Sequence, residues 1–212
     1  MRDRWDTART EAFSDGVFAI AVTLLVLDIN VPSSELDHLS SAILQEWPAY
    51  LAYVTSFMTI GGLWLVHHGL FSRLRFVDTR LIRMNLLLLM VVSFLPFPTR
   101  LMAEVLKNPE SERTAVLVYG ANLFVIAALM GLMYRIAAAR PELLEQGTSR
   151  ADVTALANRI LPGAPSLVAA LALAIFTPRL AAFAYLLIAF LLVLSAHGTN
   201  VTASAQQTID SG

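Results

Sequence analysis

The sequence contains no cysteine and few charged residues. Of its 212 residues, none is cysteine and only 15% are Asp, Glu, Lys or Arg. The absence of cysteine excludes disulfides, cysteine-ligated metal sites and thiol catalysis. Soluble domains are charged at roughly a quarter of their positions, so this chain is unusually poor in charge. Its hydrophobic share of 57% and mean hydropathy of +0.64 indicate a protein of the lipid bilayer.

Long hydrophobic runs account for most of the chain. Six segments are long and apolar enough to span a bilayer, or nearly so, and they lie roughly at 12–31, 48–70, 81–100, 114–135, 160–177 and 179–196. Pro96 and Pro98 should kink or end the third segment, and Pro178 should place a tight turn between the last two. The sequence predicts an all-α polytopic membrane protein with one six-helix domain over 1–198. The polar tail over 199–212 is predicted to be disordered.

The positive charges fall mainly on one side of the predicted bilayer. The inner side has eleven arginines, namely Arg2, Arg4, Arg9, Arg73, Arg75, Arg80, Arg83, Arg135, Arg140, Arg150 and Arg159. The outer side has only Arg100, Lys107, Arg113 and Arg179. Because positive loops stay inside, both termini are predicted to be cytoplasmic, in the cell (inner) membrane. The first outer loop contains Glu35, Asp37 and Glu46 but no Lys or Arg, so it presents negative charge outside.

The first span has one continuous apolar face and a carboxylate near each end. Successive helical residues are about 100° apart. The side chains within about 40° of Ile20 are Phe13, Gly16, Leu24, Leu27 and Val31. Thr23 lies about 60° to one side, Asp28 about 80° away and Asp15 about 140° away. The two carboxylates therefore point differently, and periodicity alone explains the apolar stripe by lipid contact or core packing.

Polar residues from three spans reach the same depth at the predicted inner end. The layer consists of Arg9, Ser14, Asp15, His67, His68 and Asn85. Buried ionisable groups are costly in a membrane and are usually paired with one another. The layer is either a structural clasp of hydrogen bonds or a proton relay or metal site. Adjacent histidines diverge by about 100° on a helix and do not readily chelate one metal ion, which favours the clasp.

The stretch "RTEAFSD" resembles the R-x-x-x-F-S-D signature that opens the first helix of the transmembrane protein 175 family. The similarity continues through "GVFAIAVTLLVLDI", the tandem histidines of "WLVHHGLF" and "RMNLLLLMVVSFLPFPT", and it covers roughly residues 9–100. The resemblance implies a potassium-permeable channel, of the kind found in lysosomes of animals and in the cell membrane of bacteria. It also implies that the first helix lines the pore, and no T-V-G-Y-G-like filter sequence occurs here.

The resemblance implies roles for individual residues. The pore constriction would be formed by rings of Ile20, Leu24 and Leu27, with Thr23 offering a hydroxyl layer. The signature residues, Arg9, Phe13, Ser14 and Asp15, would serve packing and assembly. The chain has a single F-S-D, and animal members have two six-span repeats, so a homotetramer is implied. Asp28 would then form an outer ring that enriches monovalent cations, or it is an ordinary solvated helix end.

Two other classes of protein compete with a channel. A proton-coupled transporter or proton-permeable channel would use the layer of Asp15, His67 and His68, but the last three spans have no ionisable residue at their centres. A membrane enzyme would need a convergent nucleophile, base or metal set, which the sequence does not offer. We therefore expect no catalytic residue, no metal, no cofactor beyond permeant K⁺, and no nucleic-acid partner. The expected surroundings are the lipid bilayer and other copies of the chain.

Overall fold

The computed structural model describes residues 4–30, 38–105, 112–160 and 163–210. Glu35, Asp37, Lys107 and Val31 therefore lie outside the described residues. The elements are β1 (Arg4–Asp6), α1 (Thr7–Leu24), a 3-10 turn (Leu25–Asp28), α2 (Leu39–Gln45), α3 (Trp47–Phe71), β2 (Phe76–Asp78), α4 (Thr79–Ser93), α5 (Pro96–Val105), α6 (Glu112–Ala138), a 3-10 turn (Pro141–Leu143), α7 (Arg150–Ile160), α8 (Gly163–Phe176) and α9 (Pro178–Asp210).

Four helical segments of the described chain are long and apolar enough to cross a bilayer. They are Thr7–Asp28, Trp47–Phe71, Thr79–Glu104 and Glu112–Ala138. Two shorter apolar helices, Pro165–Phe176 and Pro178–Leu194, occupy the positions of the fifth and sixth predicted spans. The chain is thus a mostly helical, multi-pass membrane protein.

The prolines interrupt the helices where the sequence predicts. The third span divides into α4 and α5, and the break lies directly before Pro96, which cannot donate the hydrogen bond that would continue the helix. Thr177 separates α8 from α9, and Pro178 is the first residue of α9, a position that tolerates proline. Both predicted breaks are confirmed.

Two helix ends differ from the sequence prediction. α1 begins at Thr7, about one turn before the apolar run, because the Asp6 carboxylate accepts a hydrogen bond from the Ala8 amide at 2.9 Å and caps the helix. α9 continues to Asp210, so the part of the tail up to that residue is helical where disorder was predicted. The segment after Arg179 contains no proline, and a polar composition alone does not end a helix.

The core lies where α3, α4 and α6 meet. α3 packs against α1, α5 and α9, and α6 packs against α4, α5 and α8. Tyr119, Tyr134 and Ile126 of α6 are fully buried there. The Tyr134 hydroxyl donates to the Val66 carbonyl at 2.8 Å, which ties α6 to α3.

A small strand pair closes the end of the molecule that the sequence predicts to be cytoplasmic, here called the inner end. β1 pairs antiparallel with β2, with Trp5 opposite Val77. Asp78 at the end of β2 caps α4 by accepting from the Leu81 amide at 2.9 Å, and its carboxylate also forms an ion pair with Arg140 beyond α6. The starts of α1 and α4 and the end of α6 are therefore joined at one end of the molecule.

Candidate functional site

The predicted apolar stripe of α1 is exposed along its whole length. Ile20 is 61% exposed, Leu24 41% and Leu27 71%, and Thr23 is exposed between them. Only 22% of the α1 span is buried, against about half of each of the other three long spans. The Thr23 hydroxyl donates to the Ile20 carbonyl at 2.9 Å, so it retains only its acceptor capacity for the exposed face.

The opposite face of α1 explains this one-sided exposure. Ser14, Phe18, Ala21 and Leu25 recur at helical spacing and are buried against α3 and α4. The small residues Ser14 and Ala21 let the helix approach its neighbours closely. α1 is consequently fixed along one side, and its apolar stripe faces away from the rest of the subunit.

A directed chain of hydrogen bonds joins α1, α3 and α4 near the inner end. His67 Nε2 donates to Asn85 Oδ1 at 2.9 Å, because an amide oxygen can only accept. Asn85 Nδ2 donates to Ser14 Oγ at 2.9 Å, and the Ser14 hydroxyl donates to the Thr10 carbonyl at 2.9 Å. Ser14, His67 and Asn85 are all buried. These three side chains, which we call the inner clasp, are the members of the polar layer that the fold brings together.

Asp15 and His68 lie outside the inner clasp. Trp64 Nε1 donates to Asp15 Oδ1 at 2.8 Å, and His68 Nδ1 lies 2.7 Å from Glu11 Oε1. The Trp64 and His68 rings stack with 5.8 Å between centroids. Neighbouring residues of a helix diverge by about 100°, so only one of Ser14 and Asp15 can face the helix junction. The uncharged hydroxyl is buried there because burial of a carboxylate costs more.

Arg9 and Phe13 do not join the clasp within one subunit. Both are exposed, and both line a cavity of about 310 Å³ between the start of α1 and α4. Asn85 contributes to the wall of the same cavity. The signature residues therefore divide into a buried part, Ser14, and a part that lies on the surface of the subunit.

The turn after α1, at the end that the sequence predicts to face outward and that is here called the outer end, lines a charged cavity that the sequence did not reveal. Asp28 lines this cavity of about 290 Å³ together with Glu46, Arg100 and Glu104. Arg100 Nε donates to Glu104 Oε1 at 2.8 Å, one helical turn away on α5. The spacing of four residues predicts that pair, but only the fold of the α4–α5 break places it beside Asp28. Trp64 and Glu11 were likewise missed, because an exposed tryptophan and a glutamate near the start of a helix carry no distinctive sequence signal.

Comparison with known proteins identifies the family. The sequence profile described as "Endosomal/lysosomal potassium channel TMEM175" matches residues 9–96. A potassium channel of Chamaesiphon minutus is 44% identical over 157 residues, which cover 73% of this chain and 77% of that relative. The chain belongs to the TMEM175 family. A potassium channel of Streptomyces collinus is 46% identical over 123 residues, which cover 58% of this chain and 60% of that relative.

Solved structures agree with this membership of the TMEM175 family. The crystal structure of a lysosomal potassium-selective channel TMEM175 homolog from Chamaesiphon minutus has a TM-score of 0.80 at 38% identity, covering 90% of this chain and 97% of that one. The endosomal/lysosomal proton channel TMEM175 of Danio rerio is 41% identical over 133 residues, but those residues cover only 26% of its length. The relatives are named as channels, and the protein is accordingly not an enzyme.

Proposed function

We propose that this protein is a potassium-permeable cation channel that conducts passively through a central pore lined by α1. The observation that carries the proposal is the exposed apolar stripe on a helix of a TMEM175-family chain whose opposite face packs against α3 and α4. Rings of Ile20, Leu24 and Leu27 form the constriction, with Thr23 beside them. Narrow apolar rings resist ion passage by dewetting, so such a pore needs no backbone-carbonyl filter.

The pore requires several copies of the chain. One helix cannot enclose a conduit, and closed symmetry is the usual arrangement of identical subunits. We propose a homotetramer, in which four α1 helices surround the pore and Asp28 forms a ring of carboxylates at the outer mouth. The chain crosses the cell membrane six times with both termini in the cytoplasm, an orientation that the eleven-to-four distribution of positive residues supports.

Ion flux in liposomes tests the channel proposal. Purified protein reconstituted in potassium-loaded vesicles should pass potassium down its gradient without any proton gradient or nucleotide. Replacing external potassium by sodium should shift the reversal potential measured in planar bilayers. Potassium flux no greater than in protein-free vesicles would contradict the proposal.

Proton permeation is a second candidate function. Two hydrogen-bonded pairs, Asp15 with Trp64 and His68 with Glu11, place three titratable side chains on a partly exposed surface at the inner end of α1 and α3. Proton flux into vesicles with a trapped pH dye would test it. Loss of that flux in Asp15→Asn and His68→Gln, with potassium flux retained, would assign the two pairs to a proton path.

A further inference from the structure

The cavity at the outer end of α1 brings a positive side chain next to the proposed carboxylate ring. The 3-10 turn Leu25–Asp28 packs on α5, and Asp28 and Arg100 share the cavity wall. Asp28 and Arg100 attract each other electrostatically, and Glu104 interacts with both. The side chain of Arg100 is 63% exposed and that of Glu104 is 56% exposed, so both charges lie at the surface of the subunit.

The backbone at Arg100 is held in place by a buried neighbouring residue. Its neighbour Thr99 is buried, and the Thr99 hydroxyl lies 2.8 Å from Ser56 Oγ on α3. Ser56 Oγ in turn lies 3.1 Å from the Tyr119 hydroxyl on α6. A buried hydroxyl contact therefore joins α5 to α3, which is joined in turn to α6, and Arg100 projects from a different face of α5 into the cavity wall that it shares with Asp28.

We propose that Arg100 sets the cation concentration at the outer mouth by offsetting the negative charge of Asp28, while Glu104 holds the Arg100 guanidinium one turn away along α5. This inference rests on the proposed channel function. In a tetramer, each Asp28 would share its cavity wall with one Arg100, and exposed charges act over about 8 Å at physiological salt. The enrichment of cations at the entrance would then follow the balance of the two residues rather than Asp28 alone.

Single-channel recording tests the effect on current. Arg100→Gln should increase inward potassium current at low ionic strength by about 1.5- to 5-fold, the range that one exposed charge pair supports. The increase should vanish at high salt and should shrink when Asp28→Asn is present in the same chain. Arg113→Gln, the same substitution on the outer side but outside the cavity lining, is the matched control, and Arg100→Lys should conduct like the wild type.

A second measurement reports the local charge without any ion current. The chain has no cysteine, so Asn30→Cys introduces one exposed thiol per subunit in the wall of the cavity that Asp28 and Arg100 line. The ratio of its reaction rates with a cationic and a neutral methanethiosulfonate reagent measures the local cation enrichment. Arg100→Gln in this background should raise the ratio by the same factor as the current, and Arg113→Gln should leave it unchanged.

The two measurements separate the inference from the channel function. If wild-type protein passes no potassium but the thiol rate ratio responds to Arg100→Gln, the channel proposal fails and the charge balance stands. If Arg100→Gln and Arg113→Gln give the same rate ratio and the same current, Arg100 does not control the outer mouth. An equal effect of Arg100→Gln with and without Asp28→Asn would also overturn the pairing of these two residues.

Discussion

At the scale of single residues, the exposed stripe of α1 is the feature with the most direct functional test. A polar side chain in an apolar ring lowers the cost of wetting the ring, so Ile20→Asn or Leu24→Asn should raise potassium conductance or leak. Bilayer recording measures the effect. Leu187→Asn on α9 is the matched control, because Leu187 is 57% exposed, similar to Ile20. Unchanged currents in folded Ile20→Asn and Leu24→Asn proteins would remove α1 from the pore wall.

A second prediction at the scale of single residues concerns Asp28. If four Asp28 side chains enrich cations without ligating them, Asp28→Asn should reduce inward current most at low ionic strength, because salt screens charge over about 8–10 Å under physiological conditions. The potassium-to-sodium selectivity ratio should barely change. Recording over a series of salt concentrations tests this. A strong change of selectivity at high salt would show that Asp28 binds the permeant ion directly.

The positions of some single residues could be predicted from the sequence, and those of others could not. Helical periodicity found the exposed stripe around Ile20, because an angle along one helix needs no knowledge of its neighbours. It placed both Asp15 and Ser14 in one polar layer, and the structure buries only Ser14. Which side chain of two adjacent ones faces a junction depends on how the helix is rotated against α3 and α4, and depth along the membrane does not determine that rotation.

At the scale of elements, the inner clasp is expected to fix α1 against α3 and α4. Asn85→Leu would leave the buried His67 Nε2–H without its acceptor, at a cost of roughly 1–3 kcal/mol, whereas the Ser14 hydroxyl would keep its bond to the Thr10 carbonyl. The expected result is a clear drop in the thermal unfolding temperature of the detergent-solubilised protein. Substitution by leucine keeps the volume similar, so cavity formation contributes little.

Asp15→Ala provides the comparison for the clasp. Asp15 accepts a hydrogen bond from Trp64 at a partly exposed position, where water can replace the lost partner. Its destabilisation should therefore be smaller than that of Asn85→Leu in the same thermal unfolding assay. An equal or larger loss of stability in Asp15→Ala would show that Asp15, and not Asn85, holds the three helices together.

The elements themselves followed from the sequence more closely than the residues did. Apolar runs and the positions of Pro96 and Pro178 located the long helices and their breaks, since both signals are local. The strand pair β1–β2 was not predicted, because each strand has only three residues and the helices α1 to α3 separate β1 from β2 in the chain. The sequence also did not predict the charged cavity at the outer end, because Asp28 and Arg100 lie far apart along the chain.

At the scale of the whole molecule, the number of subunits determines whether α1 can form a pore. We expect detergent-solubilised protein to give the mass of four chains by native mass spectrometry, because four copies of α1 are needed to enclose the conduit in the proposed arrangement. A stable monomer or dimer that still conducts potassium would contradict the tetrameric pore.

The strand pair at the inner end also determines when α1 can reach its final packed position during synthesis. β1 has no partner until the ribosome has released Asp78, and the bond from Asn85 to Ser14 has to wait for α4. Until then α1 can pack against α3 alone, and the part of its buried face that later contacts α4 remains in contact with lipid or the translocon. The helix that emerges first is thus fixed in place only after the third span has entered the membrane. A nascent chain stalled within α3 should therefore hold α1 inserted but still free to rotate.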